Sequence, residues 1–209
     1  MDFAAARKVM LDSQVRVNDV TDRQLHAGIG AVQRERFCAP DRAFSAYADV
    51  EPEIANGRRL MLPRDVAKLL QGLDARAGEK ALAIAAPYAA AVLAHMGLKV
   101  TAQESDAAVL EVVGAPLADA GVETAVAPLN QPQGEGYDLI VSEGGVIGRP
   151  ESWIAALRPG GRLAVVERDG ASGAAVLYVR GREGVSRREL FDAAPDLLPE
   201  MTPAPAFAL

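Results

Sequence analysis

Residues Ala81–Ala94 read ALAIAAPYAAAVLA. The first five, Ala81–Ala85, have the length and unbroken apolar character of a strand buried on both faces. Pro87 marks an abrupt turn, Ala89–Met96 has helical composition, and Gly97 closes the helix. A strand that enters a helix through a tight turn is the first half of a βαβ unit. Where such a unit binds a nucleotide, the turn is rich in glycine, so that backbone N–H groups come close to the ligand. This turn contains no glycine.

Downstream the alternation continues. Strands are predicted at Leu98–Ala102, Glu123–Ala127, Tyr137–Ser142 and Arg162–Glu167. Between them lie a helix from Asp106, with Leu110, Val113 and Leu117 inward, and a short helix from Pro150 carrying Trp153, Ile154 and Leu157. Pro116 should break or kink the last turn of the first of these. Arg158–Gly161 reads as a turn. Residues 174–179 and 185–191 read as two strands joined through Gly181–Gly184, a hairpin signal. Strand–helix alternation followed by a hairpin implies a mostly parallel sheet, covered by helices, with an antiparallel strand near its end.

Upstream, residues 2–36 read as two helical pieces. The first carries Phe3, Ala6 and Met10 on one side. The second has Thr21 and Gln24 at capping-box spacing, then Leu25, Ile29 and Val32 on one face. His26 reads as a surface histidine. Residues 37–62 hold two prolines, an Asn-Gly pair and scattered aromatics, the composition of a long irregular loop. Its Phe37, Phe44 and Tyr47 read as anchors to the core rather than ligand contacts. Pro63 suits the first turn of a helix over 64–71, with Val66, Leu69 and Leu70 as its stripe and Gly72 just past its end. The expected organisation is one compact domain: N-terminal helices and loop region over 1–78, an α/β core over 79–200, and a tail over 201–209 whose Pro/Ala composition predicts little order.

The 209 residues are 50% hydrophobic, with net charge −6. An acidic balance argues against broad nucleic-acid or anionic-membrane binding. One cysteine, Cys38, permits no intramolecular disulfide and no cysteine-based metal cluster. The two histidines, His26 and His95, fall in separate helices without ligand spacing, so a metal centre is not expected. No G-x-S-x-G elbow occurs. The N-terminus is charged where a signal peptide needs an apolar run, and no run approaches the roughly 20 residues of a membrane span. The expectation is a cytoplasmic protein of unspecified oligomeric state.

Particular stretches resemble the protein-L-isoaspartate O-methyltransferase family. Arg34–Phe37 followed by Ala46–Asp49 is similar to its Pro-Arg-x-x-Phe and Ala-Tyr-x-Asp segments. Pro63 with its apolar helix resembles the family's substrate-loop helix. Tyr88–Ala94 is similar to the Tyr-Gln-Ala-Ala-Val-Leu-Ala that follows its cofactor loop. Tyr137–Ile140 and Leu157–Leu163 are similar to later strand motifs, the second of them shared widely among S-adenosylmethionine methyltransferases. The resemblance covers about residues 5–200. It implies a Rossmann-like methyltransferase fold: a mostly parallel seven-stranded sheet with one antiparallel strand and an N-terminal helical extension.

The departures from the family fall on its functional positions. Its cofactor loop, of the type Glu-x-Gly-x-Gly-x-Gly-Tyr, corresponds here to Ala83, Ile84, Ala85, Ala86, Pro87 and Tyr88. The glycines and the acid are gone and the loop is about two residues shorter. Glycine gives positive φ and close backbone approach, whereas alanine resists those angles and proline removes a donor. The ribose-binding acid would be Glu104, about 20 residues on; a carboxylate ending a strand is equally an ordinary turn residue. The acid near the adenine has no counterpart around Asn130, which offers only an amide. The family's Thr-Ile-Ser before the helix proline is Arg59, Leu60 and Met61, so the serine hydroxyl is missing. Arg59 is a carboxylate attractor or a solvated loop charge. Ser142–Gly145, at the sheet's carboxyl edge, lines a cleft or turns the chain.

Two readings follow. In the first, the cofactor seat formed by Ala85, Ala86, Pro87, Tyr88, Glu104 and Asn130 is degenerate, no catalytic residue is identifiable, and the protein is a binding or scaffold module for a protein or peptide. In the second, it is a working S-adenosylmethionine-dependent protein carboxyl methyltransferase, of the isoaspartyl repair type, with a remodelled loop.

Overall fold

The structure is a computed structural model. It describes residues 1–202, so the expected tail from 203 onward lies outside the described residues. Six α-helices and nine β-strands, with short 3-10 and π turns between and after them, build the described residues. Helix α1 (Phe3–Met10) and α2 (Arg23–Ala31) lead to a two-stranded hairpin, β1 (Glu53–Ala55) and β2 (Arg58–Arg59), and then α3 (Pro63–Leu73). The core follows as β3 (Lys80–Ile84), α4 (Pro87–His95), β4 (Lys99–Glu104), α5 (Ala107–Asp119) and β5 (Glu123–Val126). It is completed by β6 (Tyr137–Val146), α6 (Glu151–Ala156), β7 (Leu157–Asp169), β8 (Ser172–Arg180) and β9 (Val185–Asp192).

Strands β3 to β9 form one seven-stranded sheet in the order β5-β4-β3-β6-β7-β8-β9. Pairings from β5 through β7 are parallel. Strand β8 is antiparallel to both β7 and β9, so it alone runs against the rest. This is the sheet that the alternation and the closing hairpin predict. The chain moves outward from β3 to β5 on one side, then returns to β6 on the other. The β3–β6 junction is therefore the switch point, where the carboxyl ends of an open α/β sheet leave a crevice.

The opening stretch lies at the centre. Ala81–Ile84 are fully buried, and α4 is buried nearly all round because it packs between the sheet and α2 and α5. Gly28 allows the close approach of α2: a Cβ there would come within 3.2 Å of Val92. One face of the sheet shares its core with Met10, Leu25, Ile29, Phe37 and Tyr88, while the other packs around Trp153, Ile154 and Leu163. No helix among the described residues is long and apolar enough to cross a membrane.

Several local expectations are corrected. Asp22, not Thr21, caps α2; its carboxylate accepts from the backbone N–H of Gln24 and Leu25. Gly72 lies inside α3, where a Cβ would sit 2.7 Å from Leu190, and left-handed Asp74 (φ 49°) ends the helix instead. Helix α5 runs through Pro116 to Asp119, because a proline so near the end removes little of the hydrogen-bond ladder and Ala120 N–H closes the last turn on Pro116 and Leu117. Residues 37–62 are not irregular throughout: 3-10 turns span Arg34–Phe37 and Pro40–Ser45, and the Asn-Gly pair makes the β1–β2 turn with φ of 49° and 79°. Phe37 and Tyr47 are buried, but Phe44 is 62% exposed and anchors nothing. Strand β6 continues to Val146 rather than turning at Ser142, and β7 takes in Leu157–Gly161.

Candidate functional site

The turn between β3 and α4 keeps a left-handed bend without glycine. Ala85 has φ of +48° and its N–H bonds to Gln103 O at 2.9 Å. A left-handed alanine costs about 1–2 kcal/mol relative to the right-handed form. Alanine resists this angle, yet the bend survives, tied to β4 by the bond to Gln103. Ala86 is the N-cap and offers no side-chain bond, and Pro87 is the first helical residue.

Several of the chain's own polar groups cluster at the carboxyl edge beside this turn. Glu143, on β6 one residue past the Ile84–Ser142 pair, is 2% exposed. Its carboxyl group accepts from Ala89 N–H at 2.8 Å and Met61 N–H at 3.4 Å, so a buried acid faces the N-terminus of α4. Burial pushes this carboxyl above the ordinary glutamate range, against the opposing pull of Arg34 and nearby backbone N–H groups. Arg34 is fully buried. It donates to Ala46 O (2.8 Å) and Met61 O (2.5 Å), and its guanidinium stacks 4.7 Å over the Tyr88 ring. The Tyr88 hydroxyl is buried without a hydrogen-bond partner, and burial raises it to about 12.

Glu104 ends β4 and is 4% exposed. The guanidinium of Arg58 grips it as a fork, Nε at 3.2 Å and Nη2 at 3.0 Å. The N–H groups of Ser105 (2.8 Å) and Asp106 (3.2 Å) take its Oε1 as well. Neighbouring Gln103 is also committed: its amide donates to Pro128 O and Gln131 O and accepts from Gln133 N–H, folding the 128–133 loop onto the sheet. In that loop Leu129 is pinned by Glu200 and Trp153, while Asn130 is exposed.

The structure therefore gathers Met61, Glu143, Arg34 and Tyr88 into one buried cluster and places Glu104 next to Ala85–Pro87. Asn130 stands apart. The Met61 and Leu60 side chains are core. Arg59 lies at the rim, 3.3 Å from Asp196. Two cavities result. One, lined by Ala85, Ala86, Pro87, Gln103 and Glu104 together with α5, has a volume of about 10 Å³. The other is a cleft of about 750 Å³ bounded by the β1–β2 hairpin, Met61, Glu143, Asp106 and the 195–200 segment. That segment is held by Gly145 N–H to Asp196 O and Leu198 N–H to Gly145 O, both at 2.8 Å.

The small cavity at Ala85–Pro87 does not admit a molecule the size of S-adenosylmethionine. That cavity has room for about one water molecule, and Arg58 holds both oxygens of the strand-end acid. Of the Ser142–Gly145 stretch, Glu143 and Gly144 line the cleft, the first of the two alternatives the sequence left open. Sequence reading missed Arg58 and Arg34 as site residues, because each reaches its partners only across distant parts of the chain.

The sheet order, its single reversed strand and the N-terminal helices define a Rossmann-like S-adenosylmethionine methyltransferase fold. Solved structures share it. A protein-L-isoaspartate O-methyltransferase from Plasmodium falciparum, in complex with S-adenosyl-L-homocysteine, superposes with a TM-score of 0.77 at 14% identity, over 96% of this chain and 99% of that one. A second protein-L-isoaspartate O-methyltransferase structure gives 0.75 at 18% identity, over 94% of this chain and 67% of that one. No family model matches the chain. Curated sequences do: the protein-L-isoaspartate O-methyltransferase of Methylorubrum populi is 34% identical over 197 residues, 91% of this chain and 92% of the relative. That of Methylorubrum extorquens is 32% identical over 200 residues, 93% and 87% respectively. This chain belongs to the protein-L-isoaspartate O-methyltransferase family.

Proposed function

We propose that this protein is a family member whose methyl transfer is lost or much reduced, and that it works as a binding or scaffold module for a protein or peptide. The observation that carries this reading is the cavity of about 10 Å³ at Ala85–Pro87 and Glu104, where a cofactor pocket needs roughly 300 Å³ or more. Methylating a carboxylate asks for little acid–base help, because the acceptor is already ionised at neutral pH. Such catalysis is mainly positioning. Loss of the donor's seat is therefore more damaging than loss of a hydroxyl at Met61. The cleft of about 750 Å³ along the carboxyl edge remains open for a partner.

Calorimetric titration with S-adenosylhomocysteine tests the reading. No heat from folded protein supports it, and micromolar binding overturns it.

The curated relatives favour a second reading. Their names describe an enzyme, at 34% and 32% identity over nearly the full chain. On this reading the protein is a working S-adenosylmethionine-dependent methyltransferase, its acceptor the isoaspartyl carboxylate of a damaged protein, with a remodelled cofactor loop. Transfer of labelled methyl from S-adenosylmethionine to an isoaspartyl peptide, above the rate without protein, would establish it.

A further inference from the structure

The two cavities share a wall. Arg58 lines the large cleft but not the small cavity, and Glu104 lines the small cavity but not the cleft. Their ion pair, with side chains 12% and 5% exposed, is the partition between them. We propose that Arg58 is the gate of the nucleoside position, its guanidinium standing on Glu104 where the ribose diol of a nucleoside would otherwise bond. The proposal rests on the reading of the cofactor position given above and assigns its closure chiefly to one residue.

The chemistry of Glu104 supports this. An ionised carboxylate has about four lone-pair sites. Arg58 holds one position on each oxygen: Nη2 on Oε1, beside the N–H groups of Ser105 and Asp106, and Nε as the sole donor to Oε2 among the described residues. A diol brings two neutral donors, which do not displace a charge-assisted fork. The hairpin that carries Arg58 is itself latched to the same edge. At its turn, the Asn56 amide donates to both Asp106 carboxylate oxygens, at 3.2 and 3.0 Å. That contact holds the Asp106 carboxyl below its ordinary value. Withdrawing the guanidinium empties two acceptor positions on a buried carboxylate and joins the small cavity to the cleft. A diol is then the kind of group that satisfies Glu104.

The test compares wild type, Arg58→Ala and Arg58→Gln in calorimetric titrations with S-adenosylhomocysteine, each variant's fold being checked by circular dichroism. Arg58→Ala should bind at least tenfold more tightly than wild type. Arg58→Gln, which keeps one donor on Glu104, should fall between them and decides the matter if the alanine variant does not fold. The gain should vanish in Arg58→Ala/Glu104→Gln, where the diol has lost its anionic acceptor. Binding by Arg58→Ala no tighter than wild type overturns the gate, as does a gain retained in full by the double variant. The wild-type titration stands apart. A silent wild type with a silent Arg58→Ala sinks the gate but leaves the degenerate-seat reading intact. Micromolar wild-type binding with a further tenfold gain sinks that reading and keeps the gate.

Discussion

At the scale of single residues, the turn after β3 carries a conformation its sequence does not favour. Ala85 sits at φ +48° with a buried methyl group. Ala85→Gly removes a left-handed penalty of about 1–2 kcal/mol, but it deletes a buried methyl worth about 0.8 kcal/mol and adds unfolded-state freedom worth about 0.4–1 kcal/mol. These offset, so the variant should match wild type to within about 1 kcal/mol, read as a nearly unchanged urea midpoint and slope, where an alanine-to-glycine change without left-handed strain would lower the midpoint clearly. Glu143 gives a pH signature. Burial raises its folded-state carboxyl above the ordinary glutamate value of 4.5. The folded protein thus holds a proton that the unfolded chain releases, and stability falls as pH rises from that value through the raised one. Glu143→Gln cannot titrate. The stability of wild type relative to Glu143→Gln should therefore decline from about pH 4.5 upward, in denaturant titrations across that range. A difference that stays flat would mean that Arg34 and the backbone N–H groups cancel the cost of burial.

At the scale of elements, alternation of strands and helices was legible because apolar runs of strand length sit between turn residues all along 81–167. Element ends were less legible. Thr21 and Asp22 are both good capping residues and adjacent, so spacing alone does not choose between them; the structure chooses Asp22, whose carboxylate reaches two backbone N–H groups. Asp22→Ala should accordingly cost about 1 kcal/mol in urea unfolding, while Thr21→Ala should cost a few tenths at most. Gly72 misled in the same way. It looks like a helix terminator, yet it is kept small by Leu190 of β9, a contact with no trace in the local sequence. The pairing at Glu104 was hidden for the same reason. Arg58 and Glu104 are 46 residues apart, and nothing before the β1–β2 hairpin forms brings one onto the other.

For the whole molecule, family and fold survive while the loop at the switch point does not keep the family pattern. Sheet order depends on many buried apolar residues that tolerate substitution, whereas a cofactor seat depends on a few glycines and carboxylates. The architecture can thus persist through changes in the cofactor loop, and whether the ligand persists too is a matter for measurement. Global stability measures this directly, since a ligand bound only by the folded state stabilises the whole protein. At about 100 times its dissociation constant a ligand adds about 2.7 kcal/mol. For a chain of this size that raises the melting midpoint by about 5–10 °C. S-adenosylhomocysteine at about 100 times the concentration that half-saturates a micromolar site should leave the wild-type midpoint unmoved within about 1 °C. A shift of several degrees would mean that Arg58 leaves Glu104 at small cost and that the edge reopens around the ligand. The enzymatic reading would then take precedence over the scaffold.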